Sequence, residues 1–306
     1  MRLSNMEVSR TTRSAGRRNV VRWGLCALLL LPLMAYAGQG ANGPFLLRMR
    51  FKQGEINKYR TMVQATMTMT QPNQPQPMTI PITMNMVQEQ KVLRADPNGG
   101  GEVIVTLMDQ HNTLGTQPMV GQNIPPLTLR FDPLGRATSI KGIPANNPAS
   151  NMLNGPMNVS GLIGVGVSLP ARAVKPGDKW TQPISLPGIT GVGKATSTFL
   201  RVENVGHFRT ARIRTRVSIP MNMLMDARGQ PTRSASQAIL TMAGSTAMTV
   251  DNNLAIAEGK LIKAGGNGVI TLAMKPNRPA RSGPRPGVPN NMKMRISMNV
   301  ATELVQ

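Results

Sequence analysis

The chain has 306 residues, a formal net charge of +22 and one cysteine, enough sequence for one large domain or two of ordinary size. Aromatic residues make up 3% of it, which argues against a nucleic-acid partner, because such partners need side chains on which bases stack. Two histidines and one cysteine leave too few ligands for a Zn²⁺ or Cu²⁺ site. Because the sequence also lacks a nucleophile elbow and a phosphate-binding glycine loop, we expect no enzyme and no cofactor.

The first 37 residues have the layout of a secretory signal peptide. A leader rich in arginine precedes an apolar run over 23–34, and Ala35-Tyr36-Ala37 provides small residues for cleavage. The apolar run is shorter than the roughly 20 residues of a membrane span. We therefore expect cleavage near Ala37 and export to the periplasm, cell envelope or exterior. General secretion and the twin-arginine route, suggested by Arg17-Arg18, both remain open.

The remaining chain shows period-two alternation rather than helical periodicity. Apolar residues alternate with arginines over 211–219, and Met, Ile and Val alternate with polar residues over 292–300. Such alternation is typical of half-buried antiparallel strands. We predict an all-β or nearly all-β fold of curved antiparallel sheets or a half-barrel.

Four clusters of turn-forming residues separate the predicted strands. They are Asp96–Gly101, Asp132–Gly135, Asp251–Asn253 and Gly265–Gly268. Each is predicted to connect two strands.

A short motif occurs twice. Phe51–Tyr59 and Val174–Trp180 each place a Lys, a Gly and an acidic residue before an aromatic one. We expect the glycine to form a tight turn and the aromatic residue to be a buried anchor for the next strand. The residues of this structural motif are Gly54 and Tyr59 in the first copy, and Gly177, Asp178 and Trp180 in the second.

The motif predicts two related β units, at 44–143 and 171–306. Each contains an apolar-Asp turn, at Phe131-Asp132 and Val250-Asp251. Between the units, 144–170 is rich in Gly, Pro and Asn and is predicted to be a linker with at most one short helix. A Pro/Arg-rich stretch at 276–289 is predicted to be a mobile loop in the second unit.

These motifs resemble a family of exported bacterial β-rich proteins of unknown function. The resemblance lies in the aromatic-Lys-x-Gly-acid strand start, the Phe-Asp-x-x-Gly hairpin at 131–135 and the Leu-Pro pair at 169–170 before the second motif. It implies a curved β-sheet similar in layout to lipoprotein-carrier half-barrels, which surround an apolar cavity. It implies no activity.

Methionine is unusually abundant, with 23 residues. Three interpretations are open: methionines fill a core short of aromatic residues, they form an apolar lining for a ligand, or their thioethers bind Cu(I). Side chains two residues apart on a strand share a face. The spacing-two clusters are Met67/Met69, Met84/Met86, Met221/Met223/Met225 and Met292/Met294, the third being the candidate ligand-binding set.

Arginines recur near the same segment, at Arg209, Arg212, Arg214 and Arg216. They form either a solvated face or a stripe that binds phosphate or sulfate groups. The sequence thus predicts an exported, non-enzymatic cell-envelope protein that binds an apolar or amphipathic ligand. The alternative is a surface protein that binds acidic polysaccharide or anionic lipid, with membrane association peripheral at most.

Overall fold

The computed structural model describes residues 43–71, 76–119, 125–142, 169–185, 192–226, 231–232, 234–277 and 291–305. These residues belong to one compact unit that spans Asn42–Gln306. The predicted signal peptide, positions 144–168 of the predicted linker and positions 278–289 of the Pro/Arg-rich stretch lie outside the described residues.

The described residues form strands and turns without a helix, so the predicted all-β class is confirmed. No helix in this part of the chain has the length and apolarity to cross a membrane. The strands are β1 Ile56–Thr70, β2 Met78–Ala95, β3 Gly101–Leu114, β4 Gln117–Met119, β5 Leu127–Phe131, β6 Ala137–Lys141, β7 Lys179–Ser185, β8 Val192–Val205, β9 Phe208–Met225, β10 Pro231–Thr232, β11 Leu240–Ala255, β12 Leu261–Pro276 and β13 Met292–Val305.

All the strands belong to one curved, open antiparallel sheet. Its order is β6-β5-β3-β2-β1-β13-β12-β11-β9-β8-β7, with β4 beside β3 and β10 beside β9. The strands of the two predicted units occupy the two sides of this sheet, and β1 pairs with β13 where they meet, from Lys58↔Val305 to Thr70↔Lys293. The sheet is thus continuous across the two predicted units, whose boundaries stay a prediction.

The predicted alternation is confirmed in β9. Ala211, Ile213, Thr215, Ile219 and Met221 are buried, whereas the intervening residues are half-buried or exposed. One face of the strand therefore packs in the core and the other is polar, as the sequence pattern indicates.

Three apolar clusters form the core, all from the same face of the sheet. The first includes residues outside the strands, Phe45, Leu47, Leu169 and Val174, which cover one end of that face. Phe45 and Val174 are joined by backbone hydrogen bonds of 2.7 and 2.9 Å. The second cluster lies on β2, β3 and β5, and the third on the opposite end of β9, β12 and β13.

The first motif forms a tight turn before β1. The Lys52 carbonyl accepts a hydrogen bond from the Glu55 N–H at 2.9 Å, and Gly54 has φ 81°, which is the geometry of a type II turn. The Gly54 N–H donates to the Val92 carbonyl of β2, and the Glu55 carbonyl accepts from the Val92 N–H, both at 2.9 Å. The turn is thus attached to the neighbouring strand.

The second motif has the same hydrogen-bond pattern before β7. The Lys175 carbonyl accepts from the Asp178 N–H at 3.0 Å, and Gly177 has φ 96°. The Gly177 N–H donates to Phe199 of β8 at 2.7 Å, and the Asp178 carbonyl accepts from the Phe199 N–H at 3.0 Å. The Asp178 carboxylate also accepts from the Lys175 N–H at 3.0 Å. Nothing lies within 4 Å of a Cβ built at either turn glycine, so the glycine is required by its φ and not by crowding.

The two aromatic anchors differ in depth. Tyr59 is buried, and its hydroxyl donates to the Leu261 carbonyl at 3.2 Å. Trp180, expected to be buried as well, is half-buried against the first cluster. It lies on β7, the edge of the described sheet, where a neighbouring strand is present on one side.

Two of the four predicted turns are correct and two are wrong. Asp96–Gly101 connects β2 to β3, and Asp132–Gly135 connects β5 to β6. Asp251–Asn253 instead lies within β11 and Gly265–Gly268 within β12, and the turn between these strands is at 256–260. The predicted apolar-Asp turn of the second unit is therefore part of a strand.

Long-range contacts explain these two differences. The Asp251 carboxylate is bonded by arginines of β9, so an aspartate is satisfied in mid-strand. A Cβ at Gly266 would lie 2.2 Å from the Thr249 carbonyl oxygen of the adjacent strand, so the glycine there permits close approach of two backbones rather than a turn.

Candidate functional site

A group of methionines occupies one end of the apolar face, on six adjacent strands. Met223 lies directly opposite Met242, Met242 opposite Met274, and Met274 opposite Met292. Directly opposite residues of antiparallel strands share a face. We name these four residues the methionine row.

A second set of methionines continues the same surface. Met294, two residues beyond Met292, lies opposite Met69, which lies opposite Met78. On β9, Met221 and Met225 flank Met223 at spacing two and share its face. The methionine end, as we name the whole surface, consists of Met69, Met78, Met221, Met223, Met225, Met242, Met274, Met292 and Met294.

Burial within the methionine end is graded. Met221 is 1% exposed, Met223 is also buried, and Met78 is 46% exposed at the β2 side. The other six are half-buried. Their thioether side chains therefore combine contact with the core and partial access to solvent, and Met is flexible enough to adapt to an irregular apolar partner.

The methionine end overlaps the third core cluster, which includes Met221 and Met223. Every described member of it, including Ile219, Ile270 and Ile296, belongs to a strand. The end covered by Phe45 and Leu169, by contrast, includes residues from outside the strands. In the described ranges, then, the methionine end is formed by the sheet alone.

A glycine brings two backbones together inside this surface. Gly244 of β11 lies opposite Met221 on one side and Leu272 on the other. A Cβ at Gly244 would come 1.8 Å from the Thr271 carbonyl oxygen, a distance at which no side chain fits. The nearby Thr246 hydroxyl donates to the Met221 sulfur at 3.5 Å.

The structure separates the predicted arginine set from the predicted methionine set. Arg212, Arg214 and Arg216 occupy the even positions of β9, whereas Met221, Met223 and Met225 occupy the odd positions and so point to the opposite face. Arg209 lies near the covered end, with its guanidinium 5.5 Å from the centre of the buried Phe45 ring. The two sets do not form one binding surface.

The arginines at 212 and 214 are bonded within the sheet. Arg214 donates two hydrogen bonds to Asp251, at 2.7 and 2.8 Å, and Arg212 donates one at 2.7 Å. The hydrogen bond from Arg214, with that from Arg212, outweighs partial burial and lowers the pKa of Asp251 to about 2. Two of the four predicted anion-binding arginines thus already hold a carboxylate, and Arg216 is exposed beside them.

Glu203 of β8 extends this group to a third strand. It accepts hydrogen bonds from Asn253 and Arg201, at 2.7 and 2.6 Å. Burial acts to raise the pKa of Glu203, but these two hydrogen bonds and the charge of Arg201 lower it overall. The ion pairs connect β8, β9 and β11, and their main effect is to stabilise strand pairing.

The sequence analysis did not identify another basic group, on the back of the methionine end. Lys275, Lys293 and Arg295 are exposed on the polar face of β12 and β13. Their cross-strand neighbours are threonines and an alanine: Thr241 for Lys275, Thr70 and Ala273 for Lys293, and Thr68 and Thr271 for Arg295. Only the register brings them together, so the sequence alone gave no indication of the group.

The described residues include no group of three or more His, Cys, Asp or Glu side chains that could hold a metal ion. The fold and this surface define a class, an all-β protein of one curved sheet with an apolar, methionine-rich end. The sequence matches no family model and no curated protein.

Solved structures that are similar in part include that of lipovitellin, described by its lipid–protein interactions, with 13% identity and a TM-score of 0.49 over 84% of this chain and 26% of that chain. The chain thus spans about a quarter of that structure. DynF from the dynemicin biosynthesis pathway of Micromonospora chersina has 8% identity and a TM-score of 0.23 over 85% and 88% of the two chains. A DUF1329 family protein from Desulfovibrio piger has 7% identity and a TM-score of 0.16 over 78% and 83%. These sequence identities and TM-scores are too low to support an inference about the function of this chain.

Proposed function

We propose that the chain is an exported, non-enzymatic protein of the cell envelope whose methionine end binds the apolar part of an amphipathic ligand. The observation that carries this proposal is the continuous surface of methionines on six adjacent strands, six of whose nine members are half-buried. Contiguous apolar surface that is partly open to solvent is typical of a binding site. The export component rests on the leader sequence.

The dimensions of the surface suit an alkyl chain. From β2 to β9 the methionine end crosses five strand spacings, or about 24 Å at ~4.8 Å each. Flexible thioether side chains can repack around chains of different length. Each buried methylene group contributes about 0.8 kcal/mol, so affinity should depend on chain length.

The test is displacement of a fluorescent fatty-acid analogue by unbranched fatty acids of 10, 12 and 14 carbons. We expect affinity to rise by up to about 15-fold for each added pair of carbons, the limit set by full burial. Equal affinity for all three, or no binding, would contradict the proposal.

A matched pair of variants locates the site. Met242→Gln with Met274→Gln places two polar amides in the centre of the surface and should weaken binding of the 14-carbon acid by at least tenfold, because the amides lose hydration. Met62, which is 44% exposed on the opposite face, gives the control Met62→Gln, which should bind as the parent protein does. An equal loss in both would show that the loss is not specific to this surface.

A second candidate, attachment to an anionic lipid surface, is favoured by the position of Lys275, Lys293 and Arg295 behind the same end of the sheet. Sedimentation with phosphatidylglycerol vesicles, compared with phosphatidylcholine vesicles, tests it. Attachment should decrease as salt is added and on changing these three residues to Gln. The control removes the same charge at Lys91, Lys179 and Lys194, and equal loss there would indicate attraction by net charge alone.

A further inference from the structure

The methionine row has a geometry that the apolar-ligand proposal does not require. Its four members lie in exact cross-strand register on four consecutive strands, β9, β11, β12 and β13. Cβ atoms of directly opposite residues are about 4.5–5.5 Å apart. Each interior member, Met242 and Met274, therefore has a thioether on both sides.

Thioether sulfur is a soft donor, and soft donors select Cu(I) among the biological metals. Methionine has three rotatable side-chain bonds, so sulfurs on neighbouring strands can turn toward one ion. A thioether carries no proton to release, so this donor set does not compete with protons, unlike cysteine or histidine.

The surroundings of the row favour a soft ion over a hard one. Two sets of cross-strand neighbours flank the methionine row on the same face. One set consists of Met225, Leu240 and Pro276. The other includes Met221, Gly244, Leu272 and Met294. Neither of these flanking sets contains a histidine or a carboxylate, the ligands that Zn²⁺ and Cu²⁺ prefer. The apolar neighbours would also limit the access of water to a bound ion.

We infer that the methionine row, Met223, Met242, Met274 and Met292, contains a binding site for one Cu(I) ion, which two or three neighbouring thioethers hold. The site shares these residues with the proposed apolar surface, but binding of the ion depends on sulfur and not on apolar area. A protein that binds fatty acid but no ion would overturn this inference alone.

The experiment is an anaerobic titration of the full chain with Cu(I) in competition with bicinchoninate, and with Ag(I) as a redox-inert probe. Every protein in the series carries Cys26→Ala, which removes the chain's one thiol. We expect one ion per chain, and an Ag(I) affinity that is unchanged between pH 5 and pH 8. A fall in affinity toward pH 5 would indicate histidine ligands and overturn the assignment.

Leucine substitutions test whether sulfur is required, because Met→Leu conserves apolar volume and removes the thioether. Changing all four members of the row to Leu should abolish binding of the ion. The control changes four other methionines, Met62, Met84, Met86 and Met248, to Leu and should keep the ion. Retention of the ion by the row variant, or its loss from the control, would overturn the inference.

If the fourfold variant fails to fold, methyl NMR of the parent protein gives the answer directly. With methionine methyl groups labelled with ¹³C, Ag(I) should shift the resonances of two or three neighbouring members of the row, assigned by single Met→Leu variants. Shifts confined to other methionines would overturn the inference, and so would an absence of shifts.

Discussion

The guanidinium of Arg214 donates hydrogen bonds to both carboxylate oxygens of Asp251, at 2.7 and 2.8 Å, across the β9–β11 pair. Such two-point pairing is stronger than a single neutral hydrogen bond because both groups are charged and their planes match. Arg212 shares the same carboxylate at 2.7 Å. This arrangement makes the pairing of two central strands sensitive to acid.

We predict that Asp251 contributes stability that is lost in acid. Its pKa is about 2 in the folded chain and about 3.9 when unfolded, so the contribution is present above pH 4 and disappears as the pH falls toward 2. Asp251→Asn should lower the free energy of unfolding at pH 7 by on the order of 1–2 kcal/mol. Denaturant melts between pH 7 and pH 2 measure both effects.

The Asp251→Asn variant should lose less stability than the parent protein between pH 4 and pH 2. Arg216→Gln, on β9 and on the same face as Arg212 and Arg214, is the control and should keep the parent's acid profile. Identical acid profiles for Asp251→Asn and the parent would contradict the prediction.

Tyr59 should limit stability in alkali. Burial, and secondarily the charge of Glu55, raise the pKa of its hydroxyl well above the ordinary value. The unfolded chain therefore loses this proton near pH 10 while the folded chain keeps it, so stability is full below pH 10 and falls above it. Tyr59→Phe should cost about 1 kcal/mol at pH 8, because the bond to the Leu261 carbonyl is lost.

Urea melts at pH 8 and pH 11 check the tyrosine prediction. The difference in free energy of unfolding between the parent protein and Tyr59→Phe should become smaller at pH 11 than at pH 8, or change sign. In protein that begins at Gly38, and so lacks Tyr36, Tyr59 is the one tyrosine. Tyrosinate absorbance of this native protein at pH 11 would show that the hydroxyl ionises without unfolding, contrary to the prediction.

Replacing each of three glycines by alanine should lower the stability of the fold by amounts that follow a fixed order. Gly244→Ala should cost the most, on the order of 3 kcal/mol, because its Cβ would meet a backbone oxygen at 1.8 Å. Gly177→Ala, with open space but φ 96°, should cost about 1–2 kcal/mol. Gly265→Ala, whose nearest neighbour is 3.8 Å away, should change stability by about 0.5 kcal/mol or less. Thermal melts that give another order would contradict this account of the glycines.

The leader should be absent from the mature protein. Sequencing of the native N-terminus should begin at Gly38, because Ala35 and Ala37 provide the small residues that signal peptidase requires. A protein that starts at Met1 and is recovered from the cytoplasm would remove the export component of the proposed function.

Local sequence patterns predicted the strands and some of the turns. Alternation in β9 is visible because each residue's face depends only on its own position, and Asp96-Pro97-Asn98-Gly99 forms a turn from its own residues. Asp251 was misassigned because its partners, Arg212 and Arg214, are more than 30 residues away in sequence. A glycine or aspartate gives the same local pattern in a turn and in a strand with such a partner.

The sequence predicted only part of the candidate site. The spacing of Met221, Met223 and Met225 places them on one face, but their alignment with Met242 and Met274 depends on register. Register is set by the pairing of β9, β11 and β12 along their whole length, including the Gly244 contact. A single sequence does not contain that information in local form.

Because β1 pairs with β13, the sheet can become continuous only late in the synthesis of the chain. The first long strand meets the last one in the middle of the sheet, so the two sides stay separate until residues 292–305 have emerged and found their place. Until then, β1 and β12 each present an open row of backbone donors and acceptors, and such rows pair readily with other chains. A product that lacks residues 292–306, and with them β13, would have two exposed strand edges at its centre. If general secretion, one of the two routes left open by the leader, exports the chain unfolded, then β1 and β13 would pair outside the cytoplasm.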